Sequence, residues 1–163
     1  PIEYHGTYPL PEAQLDRFLV QLDLGYPEAD AEVDILYAQA ESHPLERITP
    51  VLDRDDVLAM QRAVRAVAVE QSVSRYVVEI VRRTRENELL KLGVSPRGSL
   101  MLFRAAQAAA FMETRNHVLP DDVQRLAAAV LAHRMILTSK AKYAGTAKTE
   151  IIRKLLEDIR VPT

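Results

Sequence analysis

The sequence contains no cysteine. That absence excludes disulfides, thiolate metal sites and thiol nucleophiles together, and it suits a cytoplasmic protein. Neither sign of charge is in excess: the formal net charge is -2 over 163 residues. Bulk electrostatics therefore gives no reason to expect a nucleic acid or an anionic membrane as partner. No apolar run approaches the roughly 20 residues that cross a bilayer. Pro1 to Pro11 lack the basic start and apolar stretch of a secretory signal. There is no initiating methionine, so the chain reads as a piece of a longer protein. The sequence has no GxxxxGK(S/T) loop to cradle phosphates, and no hydrophobic strand ends in an Asp-Glu pair that could hold magnesium. His5, His43, His117 and His133 are scattered, without the i, i+4 spacing of a helical zinc site. No metal is expected to bind here.

What is present is a globular composition, 48% hydrophobic and 27% charged, enough for one core and a small appendage. The pattern changes at Gly25-Tyr26-Pro27, where glycine and proline interrupt any regular element. Before it lies a short helical turn at Pro11 to Asp16. The run Phe18 to Leu24 then alternates as a strand would. A lone strand leaves its backbone unpaired, so its sheet must be completed from elsewhere. After the boundary the periodicity predicts helices nearly throughout, assembled as a small bundle. Pro27 is placed to open the first, and Asp53 to cap the second. Ser72 or Ser74 starts a third, with Val73, Val77, Ile80 and Val81 inward. Ser95 caps a long one beginning Pro96-Arg97, Pro120 opens the next, and Thr146 caps Ala147 to Asp158. Short β pieces are expected at Ala66 to Val69 and His117 to Leu119.

Two arginines stand out chemically. Arg17 lies between the short helical turn and the apolar run, so its guanidinium emerges from a fixed edge. In isolation, the triplet Asp16-Arg17-Phe18 would read as a surface arginine lying over its neighbouring ring. Arg97 sits in a first helical turn, where unpaired N–H groups and the dipole favour an anion; a solvated arginine at a helix start is the alternative. Arg82, Arg83 and Arg85 form a basic cluster, which is the ordinary choice near a helix C-terminus. It would serve a non-catalytic helical adaptor or DNA-binding domain if the chain were one. The carboxylate pairs Asp55-Asp56 and Asp121-Asp122 suit helix starts without catalysis.

Read in one piece, Gly6-Thr7-Tyr8-Pro9-Leu10-Pro11-Glu12-Ala13-Gln14-Leu15-Asp16-Arg17-Phe18 resembles the segment after the first sensor motif in the MoxR family of AAA+ ATPases. Gly93-Val94-Ser95-Pro96-Arg97-Gly98-Ser99-Leu100 resembles the family's second sensor motif, and Arg115 to Val123 the turn that follows. The resemblance covers the whole chain. It implies a mainly α fold: residues 1–25 as the last short helix and strand of an α/β core, and 26–163 as a helical lid. It also implies that Arg17 is an arginine finger acting in trans on the neighbouring subunit's site. Arg97, with Ser95 and Pro96, would be the sensor 2 element that meets nucleotide in cis. The parent would be an ATP hydrolase using ATP and Mg2+, assembled as a homo-oligomeric ring, a hexamer. It would remodel or activate client proteins like a chaperone, with a von Willebrand factor A domain protein as partner. The chain alone, lacking the phosphate loop, would be inactive. Glu3 could orient a neighbour's side chain. Tyr4 and His5 depart from the Gln and Glu often found there, which leaves the detail of that loop open.

Overall fold

The computed structural model describes residues 10–40 and 43–162; Glu3, Tyr4 and His5 lie outside the described residues. Contacts divide the chain into two compact units. One joins the residues up to Gln21 with those from Ala63 onward, and the other is Leu22–Arg62.

The larger unit is built on α4 (Gln71–Glu86), α5 (Pro96–Met112), α6 (Pro120–Leu131) and α8 (Lys148–Asp158). In α4 the apolar residues recur every three or four positions, so Val73, Tyr76, Val77, Ile80 and Val81 share one buried face. α5 presents a small-residue face of Ala105, Ala106 and Ala110 with Leu102, and it makes its broadest contact with α6. From α6 come Val123, Ala127, Val130 and Leu131, each 0% exposed. Removing the valine and leucine side chains among them from water contributes about 1.5–3 kcal/mol apiece. The inward face expected of α4 is present.

Two polar side chains tie loops to this core. The Thr84 hydroxyl accepts from the Val94 N–H at 2.9 Å, and Gln107 Nε2 donates to the Val67 carbonyl at 2.7 Å. A parallel bridge pairs Ala68 with His117, where short β pieces are expected. A second pairing was not foreseen: β1 (Leu90–Leu92) runs antiparallel to β2 (Ile136–Leu137). The short α7 (Ser139–Tyr143) follows, capped by the Thr138 hydroxyl.

Helix starts differ from expectation where capping chemistry is weak. Glu70 is the cap of α4, which places Ser72 and Ser74 inside the helix, and Ser74 donates back to the Glu70 carbonyl. Ala147, not Thr146, occupies the cap of α8. Phe18 to Leu24, expected as a strand, pairs with no strand among the described residues; its carbonyl and amide partners are side chains and a helix end, described below. α1 (Glu12–Leu15) forms as expected.

The second unit contains α2 (Ala29–Ala38), a 3-10 turn at Pro44–Arg47 and most of α3 (Arg54–Ala66). α2 begins after an extended Glu28, so Pro27 precedes the cap and does not open the helix. Asp53 caps α3 as expected, accepting from the Asp56 N–H at 2.9 Å while Asp56 accepts from the Asp53 N–H at 3.1 Å. His43 caps the 3-10 turn through Nδ1. No residue of α2 or α3 is buried.

Candidate functional site

α1 is a single turn of four residues with nothing buried. Such a turn cannot hold its own shape in water, because one turn fixes more backbone than its hydrogen bonds return. Its position is set from outside. Asp16 ends the turn, the Arg17 N–H donates to the Gln14 carbonyl at 3.0 Å, and the Phe18 N–H donates to the Leu15 carbonyl at 3.1 Å. Arg17 itself is exposed.

Arg134, in the 3-10 turn Ala132–Arg134 that ends α6, supplies the fastening. Its side chain is 0% exposed while that of Asp16 is 27% exposed, and Nη1 meets Asp16 Oδ1 at 2.8 Å. The same guanidinium donates to the main-chain carbonyls of Asp16 and Phe18 and, through Nε, to the Val130 carbonyl at 2.8 Å. A buried charge is tolerable only when paired and fully bonded, and this fork meets both conditions. His133 donates from Nε2 to the Phe18 carbonyl at 3.1 Å, which fixes the Nε2–H tautomer for a neutral ring. Burial pushes the His133 imidazole below its ordinary value; the bond to Phe18 opposes this and the charge on Arg134 adds to it. The Gln21 N–H donates to the Ala129 carbonyl at 2.9 Å.

The start of α5 meets this cluster. Ser95 has the extended backbone of a helix cap, but its side chain makes no cap hydrogen bond. Its hydroxyl lies 3.2 Å from both carboxylate oxygens of Asp16, so Ser95 holds the expected cap position while its side chain bonds Asp16 in place of the helix N–H groups. Pro96 and Arg97 open the helix, exposed to solvent. A Cβ on Gly98 would lie 2.1 Å from Val94 Cγ1 and 3.4 Å from Arg134 Cδ, so only glycine admits so close an approach. The segment bearing Arg17 and the helix start bearing Arg97 are thus joined through Asp16 and Ser95. A cleft of about 930 Å³ opens beside them, lined among others by Glu12, Asp16, Ser95, Arg85, Lys91 and Lys148. Neither Arg17 nor Arg97 lines it.

The other candidates find structural employment. Arg83 pairs with Glu79 at 2.8 Å, Arg82 lies 3.8 Å from Glu86, and Arg85 Nε donates to the Val94 carbonyl at 2.8 Å. Asp122 is 2% exposed. Burial would raise its carboxyl, but bonds from both Nη atoms of Arg115 and from the Leu119 N–H hold it below the ordinary carboxylate range. No group of three metal-ligating side chains occurs among the described residues, and no described helix is long and apolar enough to cross a membrane. Asp16 and Arg134 escaped the sequence reading because they are 118 positions apart; the one signal was an arginine directly following an apolar helix.

A family model described as AAA lid domain matches residues 82–155. The chain is 48% identical over 162 residues to the protein named YeaC of Bacillus subtilis, covering 99% of this chain and 51% of that protein. It is 34% identical over 171 residues to the protein named Chaperone MoxR1 of Mycobacterium tuberculosis, covering 99% of this chain and 45% of that one. The crystal structure of a candidate ATPase from Cytophaga hutchinsonii superposes with a TM-score of 0.90 at 30% identity, over 100% of this chain and 52% of that one. The chain spans about half the length of the curated relatives it matches.

Proposed function

The chain belongs to the MoxR family of AAA+ ATPases, and from that premise we propose that it supplies the trans-acting and nucleotide-sensing residues of a ring ATPase. Arg17 is the arginine finger. The observation that carries this reading is its placement: an exposed guanidinium on a turn whose flanking backbone is fixed by Arg134. Arg97 is the sensor 2 residue, set where the N–H groups of α5 and the helix dipole already favour phosphate. Ser95 and Pro96 shape that helix start. Residues through Gly25 belong with the α/β core and those from Tyr26 onward form the lid.

ATP with Mg2+ supplies a γ-phosphoryl group that hydrolysis transfers to water, and this chain's part is electrostatic. Arg17, extended into a neighbouring subunit's site, neutralises negative charge developing on the phosphoryl oxygens, a contribution of about 10³–10⁵ in rate in nucleotidases that use such a finger. Arg97 meets the phosphates held in its own subunit and ties the lid to their state. This chain is not proposed to hold the Mg2+ itself, nor to hydrolyse ATP alone. The ring is a hexamer in the cytoplasm that remodels client proteins, with a von Willebrand factor A domain protein as partner. For the alternative of a DNA-binding adaptor the basic cluster offers little, since Arg82 and Arg83 lie beside Glu86 and Glu79 on an exposed helix face and Arg85 bonds the Val94 carbonyl.

The test is Arg17→Ala in the full-length ATPase. Turnover is expected to fall by about 10³-fold or more while ATP affinity stays within a few-fold of wild type. Wild-type turnover in that variant removes the assignment.

A further inference from the structure

We infer that Arg134 is a positioning residue for Arg17, and that Asp16 carries its grip to the helix start bearing Arg97; the inference rests on the reading of Arg17 as the finger. An arginine finger works only if its guanidinium is delivered to one place, because misplacement by about 1 Å can cost about 10²-fold in rate. The turn bearing Arg17 has no buried residue of its own to fix it.

The backbone on either side of Arg17 is nevertheless fully determined. The peptide plane before it is held at its carbonyl by Arg134 and at its N–H by the Gln14 carbonyl. The plane after it is held by the Phe18 N–H on the Leu15 carbonyl, and the next one by Arg134 and His133 on the Phe18 carbonyl. With planar peptides, holding both flanking planes sets φ and ψ of Arg17 and so the direction in which its side chain leaves the chain. Arg134 can hold both sides because its guanidinium is a rigid fork whose donors diverge in one plane. A lysine ammonium offers one point of attachment and cannot reach the Asp16 and Phe18 carbonyls together with the Val130 carbonyl behind it.

The grip does not end at Arg17. Asp16 accepts from Arg134 through Oδ1 and receives the Ser95 hydroxyl at 3.2 Å. Ser95 precedes Pro96 and Arg97, and Gly98 lies against Val94 and the Arg134 stem. One buried arginine therefore touches the segment of the trans-acting residue and the helix of the cis-acting one. A shift of the α5 start has a direct route to the backbone of Arg17, through two hydrogen-bonded side chains.

The experiment uses the full-length ATPase with four variants: Arg17→Ala, Arg134→Lys, Asp16→Asn, and Asp16→Asn combined with Arg17→Ala. Steady-state kcat, ATP affinity and the thermal unfolding midpoint are measured for each. Arg134→Lys and Asp16→Asn are expected to lower kcat by about 10- to 100-fold with ATP affinity changed less than about threefold. In the Arg17→Ala background, Asp16→Asn is expected to add nothing, since a residue acting through Arg17 has nothing left to position. A further loss on top of Arg17→Ala overturns the inference, because a merely structural role would be felt there too. If Arg134→Lys fails to fold, Arg134→Gln takes its place: a folded Arg134→Gln enzyme with wild-type kcat overturns the positioning, since its shorter amide cannot hold the Asp16 and Phe18 carbonyls together. Loss of turnover in Arg17→Ala alongside that result leaves the finger standing. Wild-type turnover in Arg17→Ala brings down the finger and this inference with it.

Discussion

Helices α5 and α6 hold to each other through apolar area, whereas the segment from Leu10 to Gln21, in the same unit, holds by hydrogen bonds. In α6, Val123, Ala127, Val130 and Leu131 are all 0% exposed. Between Leu10 and Gln21 no residue is buried, and the fastenings are Arg134, His133, Ser95 and the Ala129 carbonyl. Apolar burial is non-directional and supplies stability; charge-assisted hydrogen bonds are directional and supply orientation. On the proposed role of Arg17, the region carrying it needs a defined direction more than it needs stability of its own.

The comparison breaks most severely at the core. Leu131→Ala removes a fully buried side chain from the α5–α6 contact, and the expected loss is about 2–5 kcal/mol of unfolding free energy, read from denaturant midpoints. A loss below about 1 kcal/mol would mean that this contact does not hold the unit together. Next comes Gly98→Ala, which strikes where the two regions meet. Its new methyl would overlap Val94, itself 1% exposed, and push that side chain beside the Arg134 stem, with which the methyl would be in ordinary contact. Overpacking of that kind costs about 1–3 kcal/mol. The distinguishing expectation is faster amide exchange at Arg17 and Phe18 than the global loss alone accounts for. Uniform acceleration across the unit would show that Gly98 serves packing only.

These two regions were also unequally legible in the sequence. The inward face of α4 could be read from Val73, Val77, Ile80 and Val81 because helical periodicity is a local property, and Pro96 and Pro120 mark helix starts by their own geometry. The extended pieces around Ala68 and His117 were expected, but their pairing was not. β1 and β2 were not legible: three residues and two residues are too few to show a period. Glu70 took the cap expected of Ser72 or Ser74 because capping preferences are worth only about 1 kcal/mol and packing overrides them. The alternation of Phe18 to Leu24 looks like a strand, yet alternation specifies a face and says nothing of what pairs with the backbone. Arg17 and Arg97 were singled out by the motifs around them, and both are exposed. Their fastening was not legible, since a pair 118 positions apart leaves no trace in either neighbourhood.

The smallest expected effect is a pH dependence at the edge of the polar region. His133 has its folded value depressed below the ordinary 6.5, because burial disfavours the imidazolium, with the Phe18 bond and the Asp16 charge opposing and Arg134 reinforcing. Between the depressed value and about 6.5 the unfolded chain binds more protons than the folded one. Stability therefore rises with pH in that interval: it is fully present above about 6.5 and is lost as pH falls through the folded value. His133→Gln keeps a donor that can reach the Phe18 carbonyl but removes the titration. Urea midpoints from about pH 5 to 8 should fall on acidification for wild type, with a shallower fall for His133→Gln. The carboxylates held low, such as Asp122, contribute only at more acidic pH. Equal slopes for the two proteins across this range would mean that His133 takes up its proton equally in the folded and unfolded chain. Its bond to Phe18 would then be a fixed strut, and the hold on the Arg17 segment would not respond to pH.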